Sequence, residues 1–316
     1  MNGINSTLIK TQDSLITLLR VEDGFINDKG ETYDREGTFI DFPRELSSKQ
    51  RRPRDPAAVE KRLNHKRVAC LVHERRNYSY YHWTYETLPK LIYLSNHRKE
   101  LKIDKLYFHF GRLGHPYQRQ ALRSLGFQYW KIIDAKRIKS LKASEIVVIK
   151  LNETRLEPSV DLCKLIKSTF IKNPTANPTR RIYLTRDHVK TGRKIINENE
   201  LRFLLDSYGF EIIVADNLSV AAQAKLFNQS NYIVSPHGAA LANIAFCEPG
   251  AKILELFNQT DQTTWSQIYS TIAQACGFEL IPIAPQQTTE IGETDHRSDF
   301  YADLKAITAV MAAWSA

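Results

Sequence analysis

The sequence predicts an α/β protein of two domains, and three observations carry this prediction. The chain has 316 residues, which is long for one domain and comfortable for two. Its second half alternates short apolar runs with helical patterns, as βαβ units do. Residues 173–179 contain two prolines among small polar neighbours, which indicates a linker. We therefore expect an N-terminal α/β domain at 1–175, a second domain at 176–295, and a C-terminal helical segment at 296–316.

The second half carries the clearest pattern of secondary structure. Strands of three to six residues, separated by helices of about ten, predict βαβ units and a parallel sheet. The predicted strands are residues 182–184, 211–214, 232–234, 252–257 and 279–283, and the predicted helices are 198–207, 219–229, 264–275 and 299–314. We expect the last helix to start from a Ser298 cap and to pack back on the N-terminal domain.

The first half predicts a short β-rich segment followed by a second α/β unit. Polar residues and three prolines interrupt the pattern between residues 43 and 66. The predicted strands are residues 15–21, 32–33, 38–42, 68–72, 106–110 and 145–150, and the predicted helices are 57–63, 118–125 and 159–171.

Composition narrows the class of protein. No apolar run approaches the roughly 20 residues that span a bilayer, and no basic region followed by an apolar core opens the chain. The four cysteines lie far apart, without a Cys-x-x-Cys pair, which argues against a zinc ribbon or a disulfide framework. We expect buried thiols and a cytoplasmic location.

The net charge of +9 is unevenly spread along the chain. Residues 1–175 hold 33 Lys and Arg against 20 Asp and Glu, whereas the remainder is acidic by four charges. The basic half predicts an acidic partner: nucleic acid, an anionic membrane surface or a phosphate-bearing acceptor. A solvated surface without a partner is the alternative. Lys and Arg are densest in residues 44–76 of the basic half. This stretch contains no aromatic residue for base stacking, which argues against nucleic acid as the partner.

A dense polar and aromatic stretch, residues 80–91, contains the first candidate site. On a helix, His82 and Glu86 would share a face because they are four residues apart. Such a pair could act as general base toward an acceptor hydroxyl, or supply two ligands to a divalent metal. A structural hydrogen bond beneath an aromatic layer is the third interpretation. Pro89 should kink or restart the helix.

The ends of the predicted strands in the second half carry a second candidate site. Ligands of parallel sheets bind beyond the carboxyl ends of the strands. Arg186 follows the first strand there, and Arg193 lies seven residues on, accompanied by Lys190 and Lys194. Two guanidinium groups suit a diphosphate. Asn197 and Glu198, just beyond, either contribute to this site or cap the next helix.

The turn after the third strand completes the predicted anion site. Gly238 allows backbone to approach a ligand, and the helix that follows would present its positive end. His237 could donate to a phosphate or lie over a base. Glu255, at the end of the next strand, could accept both ribose hydroxyls or simply face solvent. The candidate donor-binding residues of this turn are Ser235, His237, Gly238, Ala239, Ala240 and Asn243.

In their order and spacing, these motifs resemble glycosyltransferase family 61. The family's His-Trp-x-x-Glu-x-Leu-Pro segment corresponds to residues 82–89, and its Arg-x-Ile-Asn-Glu motif to residues 193–198, here with one additional residue. Gly-Phe-Glu follows at 209–211. The His-Gly-Ala-x-Leu-x-Asn-x-x-Phe motif, with Pro-Gly and a strand ending in Glu, spans 237–255.

The resemblance implies a GT-B-like architecture of two Rossmann-like domains that face each other across a cleft. It also implies an inverting, metal-independent hexosyl- or pentosyltransferase without a cofactor, which uses a nucleotide sugar, most often a UDP-sugar. In that case Arg186, Arg193 and the His237–Ala240 loop hold the diphosphate and Glu255 suits the ribose. His82 and Glu86 become the candidates for deprotonating the acceptor.

The resemblance also suggests a biological setting. The chain is similar to bacterial cytoplasmic members that build capsule, lipopolysaccharide or other surface glycans. We expect a glycan or lipid-linked acidic acceptor, met at the inner membrane face by the basic N-terminal half, and no nucleic-acid partner. Two other classes remain open from the residues: a metal-dependent hydrolase built on His82 and Glu86, and a non-catalytic nucleotide-binding protein.

Overall fold

A computed structural model provides the structure of the protein. It describes residues 6–10, 14–40, 58–71, 78–110, 114–153, 157–189, 192–258, 267–285 and 298–315, with only the backbone described for 6–10. Most of the basic stretch 44–76, the predicted site residue Lys190 and the start of the predicted helix 264–275 lie outside these ranges.

The chain divides into two compact units, residues 1–153 and 154–316. The division falls earlier than the boundary predicted at 175/176. The predicted linker lies inside the second unit, where the backbone N–H of Thr175 donates to Asn228 Oδ1 at 2.9 Å. The helix before it also belongs to the second unit: Lys167 Nζ donates to the carbonyl of Cys247 and pairs with Glu248 at 2.9 Å. The local composition does not indicate the boundary between the units, because these bonds join residues that are distant in the sequence.

The first unit contains strands β1–β9 and helices α1–α4. The strands are β1 (Ser6–Lys10), β2 (Ile16–Glu22), β3 (Phe25–Asn27), β4 (Thr32–Tyr33), β5 (Phe39–Ile40), β6 (Lys61–Cys70), β7 (Lys105–Phe108), β8 (Ile132–Asp134) and β9 (Ser140–Leu151). The helices are α1 (Tyr80–His82), a π-helix (Trp83–Thr87), α2 (Leu88–Asn96), α3 (Arg98–Leu101), α4 (Pro116–Ser124) and a 3₁₀ turn (Tyr129–Lys131).

A mixed sheet organises the first unit, with order β5-β4-β3-β9-β6-β7-β8. Strand β9 also pairs with β2, which in turn pairs with β1. Strands β9, β6, β7 and β8 are mutually parallel, whereas β2 and β3 pair with β9 in the antiparallel sense. The predicted α/β class is confirmed. The predicted parallel sheet holds for only part of this unit, because the β-rich N-terminal segment joins the same sheet.

One predicted helix of the first unit is wrong. Residues 57–63 were expected to be helical, but Lys61 opens the ten-residue strand β6. Its first seven side chains are half-buried or exposed and mostly polar, so a hydrophobicity pattern does not reveal the strand. The end of the strand, residues 68–70, is fully buried between β7 and β9.

The segment around Pro89 forms one continuous helical run with a π-helix inside it. The backbone N–H of Leu88 donates to the carbonyl of Trp83, five residues back. A proline in an α-helix clashes with the carbonyl four residues before it and offers no N–H. The wider π turn immediately before Pro89 accommodates that ring at the start of α2. The helix therefore continues through the proline, with its backbone register changed.

Among its described residues, the second unit contains five strands and five α-helices. The strands are β10 (Arg180–Leu184), β11 (Glu211–Ile213), β12 (Ser230–Pro236), β13 (Lys252–Leu256) and β14 (Glu279–Ile283). The helices are α5 (Val160–Phe170), α6 (Glu198–Ser207), α7 (Val220–Asn228), α8 (Ile268–Cys276) and α9 (Leu304–Ser315), with 3₁₀ helices at Ala215–Asn217 and Ala239–Phe246.

All five strands of the second unit are parallel, in the order β11-β10-β12-β13-β14. This is one of the two common doubly wound orders. The chain moves from β10 outward to β11, returns to β12 and continues in the opposite direction through β13 to β14. The direction of winding therefore reverses between β10 and β12, and this reversal is where ligands of such sheets bind.

The C-terminal helix α9 completes the core of the second unit. Its buried residues Ile307, Met311 and Trp314 belong to the same apolar cluster as Tyr183 of β10 and Val234 of β12. We had expected this helix to pack on the N-terminal domain, but its apolar face is buried against its own unit. Its predicted Ser298 cap is also wrong. The helix starts after Asp303, whose carboxylate accepts the backbone N–H of Ala306 at 3.0 Å.

Two further expectations concern the thiols and the membrane. No disulfide joins the four cysteines, of which Cys70, Cys163 and Cys247 are buried and Cys276 is half-buried, as the sequence predicts. Within the described ranges, no helix combines the length and apolar character that crossing a bilayer requires.

Candidate active site

The candidate site lies at the carboxyl ends of β10 and β12, where the winding of the second sheet reverses. Because parallel strands end at the same edge, the loops after Leu184 and after Pro236 are neighbours. Their proximity is tight: a Cβ atom built on Gly238 would lie 2.5 Å from Nη1 of Arg186. The structure thus brings together the two loops that the sequence singled out as an anion site.

Arg186 is a half-buried cation without a carboxylate partner among the described residues. Its Nη2 reaches the carbonyl of Gly192 at 3.5 Å, and its buried Nε has no hydrogen-bond partner there. Burial is the main cause that lowers the pKa of Arg186, and the neighbouring Arg193 lowers it further. Two guanidinium groups close enough for their charges to repel favour binding of an anion beside them.

The backbone beneath Arg193 is strained. Arg193 has φ of 60°, a left-handed conformation that costs free energy in residues other than glycine. Gly192, directly before it, has φ of 76°. Consecutive left-handed residues turn the chain sharply, and the charge of Arg193 is close enough to act on Arg186. Backbone strain of this kind recurs at ligand-binding sites, and the role of Arg193 in binding stays a prediction.

The turn after β12 differs from the prediction in one respect. Gly238 has an extended backbone, with φ of 179°, so its importance comes from the space that Arg186 occupies. The chain then enters the expected helix at Ala239, as a 3₁₀ helix. Half-buried Ala239 and Ala240 keep this side of the turn open. The N–H of Leu241 donates to the carbonyl of Gly238 at 3.0 Å, and the N–H groups of Ala239 and Ala240 precede this first bond of the helix.

We expect the variant Gly238→Ala to weaken anion binding while leaving the fold intact. The backbone at position 238 accepts any residue, and the three atoms nearest to the added methyl group all belong to Arg186. The guanidinium must therefore move, which should weaken UDP binding about tenfold or more. Titration of the variant with UDP, beside its unfolding temperature without ligand, measures this effect. Wild-type affinity in Gly238→Ala would contradict the importance of where Arg186 is held.

Ser235 and Asn243 shape this turn from the interior. Ser235 is 2% exposed, and its hydroxyl donates to the carbonyl of Pro236 at 2.8 Å. Asn243 is fully buried, and its Nδ2 donates to Gln223 Oε1 at 2.7 Å and to the carbonyl of Ala240 at 3.0 Å. Both residues support the turn that carries His237 and Gly238, and their predicted contact with the donor remains a prediction.

Glu255 lies inside the protein, against the expectation that it ends a strand at an open crevice. Its side chain is 0% exposed, and Oε1 lies 2.6 Å from Nδ1 of His237. The imidazole also stacks on Phe257, with ring centroids 5.3 Å apart, and contacts Tyr269 at 5.2 Å. The alternative of a solvent-facing Glu255 is wrong. The structure makes this carboxylate the partner of His237.

Asn197 and Glu198 are engaged in the scaffold beside the site. Asn197 Nδ2 donates to the carbonyl of Ala302, and Asn197 Oδ1 accepts the N–H of Ala302 at 2.8 Å. Glu198 Oε1 accepts the hydroxyls of Tyr183 and Thr185. These bonds tie helix α6 to β10 and to the approach of α9. These bonds favour a structural role for both residues. The Asn197 side chain makes no capping hydrogen bond to helix α6 among the described residues.

His82 and Glu86 form a buried pair in the first unit. Nδ1 of His82 lies 2.6 Å from Oε1 of Glu86, and both residues are less than 10% exposed. The ring of Tyr81 packs edge-on against His82 at 5.5 Å. The pair sits where α1 passes into the π-helix, a feature that recurs at functional sites. A carboxylate on Nδ1 fixes the tautomer and leaves Nε2 to take a proton.

The described residues offer no group of three or more His, Cys, Asp or Glu side chains arranged to hold a metal ion. His82 and Glu86 contact each other directly. The hydrolase alternative, which requires more ligands around that pair, therefore gains no support from the described part of the chain.

A comparison with protein families identifies the family of the chain. The sequence profile of the family Glycosyltransferase 61 matches residues 80–254, more than half of the chain. The chain belongs to glycosyltransferase family 61. This family 61 protein is accordingly a glycosyltransferase, with a sugar donor and a glycan acceptor as its substrates. The match begins just before His82 and runs to the residue before Glu255, so it includes parts of both units. No curated protein matches the chain.

Two aromatic residues that contact His237 in this family 61 transferase were not predicted from the sequence. Phe257 lies two residues beyond Glu255, and this spacing places both on one face of an extended chain, so a signal was present. Tyr269 comes from α8, and nothing local connects it with His237. Its contact follows only from the packing of α8 beside the sheet.

Proposed function

We propose that the second unit of this transferase binds a nucleotide-sugar donor, with a UDP-sugar as the first candidate. The observation that carries the proposal is the half-buried Arg186, which lies beside Arg193 and Gly238 without a described carboxylate partner. A diphosphate supplies the negative charge that this arrangement lacks. The reversal point of a doubly wound sheet is also where nucleotides bind.

The proposed reaction transfers the sugar to a hydroxyl of the acceptor with inversion at the anomeric carbon. The oxygen of the acceptor forms a bond to that carbon as the bond to the diphosphate breaks. The leaving diphosphate takes the electron pair, and cationic and N–H groups around Arg186 stabilise it electrostatically. His82, oriented by Glu86, takes the proton of the acceptor hydroxyl. Metal independence, inversion and a GT-B-like architecture all belong to this proposal, which the resemblance and the α/β character of both units support.

The nucleotide is tested by thermal unfolding of the intact protein with UDP, GDP, CMP, dTDP and ADP, each with and without EDTA. A ligand at 100 times its dissociation constant adds about 2.7 kcal/mol to the free energy of unfolding. We expect one nucleotide, UDP, to raise the unfolding temperature equally in both conditions. Stabilisation by none of the five would remove the nucleotide-sugar proposal, and stabilisation that EDTA abolishes would remove its metal independence.

The acceptor and its setting extend the same proposal. The +13 charge of residues 1–175 suits an acidic or lipid-linked glycan acceptor presented at a cytoplasmic membrane surface, as in bacterial capsule or lipopolysaccharide synthesis. Co-sedimentation with vesicles tests whether the protein associates electrostatically with an anionic membrane surface. We expect binding to vesicles containing anionic phospholipid at low salt, weaker binding at high salt, and none to neutral vesicles. Equal binding to neutral vesicles would contradict electrostatic association.

A further inference from the structure

His237 and Glu255 form a charged pair between two neighbouring strand ends. His237 directly follows β12, Glu255 lies in β13, and Nδ1 approaches Oε1 to 2.6 Å. Glu255 is 0% exposed, and its Oε2 has no hydrogen-bond partner within the described residues. A carboxylate so enclosed cannot reach a ribose without a rearrangement of the strand. Its one available polar partner in the described structure is the imidazole.

The imidazole ring is held from three directions. The backbone N–H of His237 donates to the carbonyl of Leu256 at 2.8 Å, Phe257 stacks on the ring, and Tyr269 contacts it from α8. With Nδ1 engaged by Glu255, the remaining ring nitrogen is Nε2. It has no hydrogen-bond partner among the described residues, and the side chain is 18% exposed. Nε2 is therefore the polar atom that His237 presents to a ligand.

The number of protons on this pair decides what Nε2 can do. Burial raises the pKa of Glu255, while the hydrogen bond from His237 opposes that shift. Loss of a proton would leave a net negative charge on a buried carboxylate, which burial disfavours. A pair that holds two protons carries no net charge. In that state the outer proton lies on Nε2, whether the inner proton lies on Nδ1 or on Oε1, and Nε2 is a hydrogen-bond donor.

The other charged and titratable groups around the ring are compatible with an anion at Nε2. Arg186, from the loop after β10, lies against the adjacent Gly238. Tyr269, from α8, faces both the imidazole and the neighbourhood of Arg186. A phosphate placed beside Arg186 and Nε2 would meet one full positive charge and one further donor. It would also offset the electrostatic cost of holding a proton so close to a guanidinium.

We propose that Glu255 is a positioning residue that holds His237 with Nε2–H directed at the diphosphate of the donor. This inference rests on the proposed function and replaces the ribose contact first expected of Glu255. His237 acts as a donor to the leaving group and keeps its proton, so the proton of the acceptor hydroxyl goes elsewhere, to His82. The two His–Glu pairs described above thus have opposite tasks.

The protonation of His237 can be measured without any donor or acceptor. In the ligand-free wild type, ¹⁵N NMR of the imidazole at pH 7.5 should show hydrogen on Nε2 of His237. In Glu255→Gln the buried acid is absent, and the hydrogen on Nε2 should be lost at that pH. His188, exposed beside Asp216, serves as the internal reference, and its signal should be the same in both proteins. An unprotonated Nε2 in the wild type would overturn the proposal even if the variant fails to fold.

Affinity for UDP provides a second measurement. If Glu255 had a purely structural role, the loss of affinity in Glu255→Gln would not depend on pH in the same way. We expect Glu255→Gln to bind UDP about tenfold to a hundredfold more weakly at pH 8, because a charged donor is lost. The deficit should shrink below pH 6, where the imidazole regains its proton. A deficit equal at both pH values would contradict the positioning role. Failure of UDP to bind the wild type would instead contradict the proposed function, and the NMR result would stand independently.

Discussion

The variant Arg186→Ala is expected to lose the stabilisation that UDP gives to the wild type. Arg186 lies against the Gly238 turn, and its guanidinium has no carboxylate partner among the described residues. Hydrogen bonds to a charged group contribute roughly 1.5–3 kcal/mol each, so the loss of two should weaken UDP binding about a hundredfold to more than ten-thousandfold. Isothermal titration of the purified variant with UDP measures the loss.

The same variant should behave unusually in the absence of ligand. The charge of Arg186 is desolvated and lies near Arg193, and both effects oppose its ionised form. Removal of the charge relieves a repulsion, so we expect the unfolding temperature without UDP to be unchanged or raised. Arg180→Ala is the matched control, because Arg180 lies at the opposite end of β10 and pairs with Glu211. Normal UDP binding by Arg186→Ala would show that the phosphate site is elsewhere.

The variant Glu86→Ala is expected to bind UDP normally and to lose turnover. Without the carboxylate at 2.6 Å, His82 no longer has its Nδ1–H held, and the orientation of Nε2 is lost. General-base catalysis contributes typically 10²- to 10⁴-fold, so the rate constant of sugar transfer should fall by about that factor. Release of UDP from UDP-sugar in the presence of acceptor measures turnover, and thermal unfolding with UDP measures binding.

A matched control separates this effect from a general disturbance of the first unit. Glu100→Ala removes an exposed acid from α3, on the same unit, and should leave both turnover and binding unchanged. The pair His82→Ala and Glu86→Ala should be strongly non-additive, since each removes the function of the other. Full activity in either single variant would exclude the pair from proton transfer.

The alternation of strands and helices in the second unit could be predicted from sequence because local signals agree there. Helix α6 was predicted with its observed bounds, and β14 likewise. The hydroxyl oxygen of Ser219 accepts a hydrogen bond from the backbone N–H of Ala222, as expected of a serine that caps a helix. The place where the two loops meet was also predictable, since parallel strands share their carboxyl edge. The approach of Arg186 to Gly238 follows from that rule.

Other features depend on contacts between distant parts of the chain. The buried position of Glu255 follows from its neighbours on both sides of β13, and the lone carboxylate gave no sign of its pairing with His237. Asn197 resembles a helix cap in sequence, yet its amide bonds the backbone of Ala302, more than a hundred residues later. The π-helix before Pro89 depends on how one ring is accommodated, which periodicity does not encode.

Strand β9 imposes an order of events on the synthesis of this protein. It pairs with β2, β3 and β6, and Ser140 at its start follows Glu22 at the end of β2 by 118 positions. At roughly 5–20 residues per second, a ribosome needs about 6 to 24 s to supply β9 after β2 has been made. During that interval the hairpin of β1 and β2 presents the apolar edge that β9 will later cover. The nascent chain therefore carries an unpaired sheet edge for many seconds, and this interval is when it is most exposed to aggregation and to chaperones.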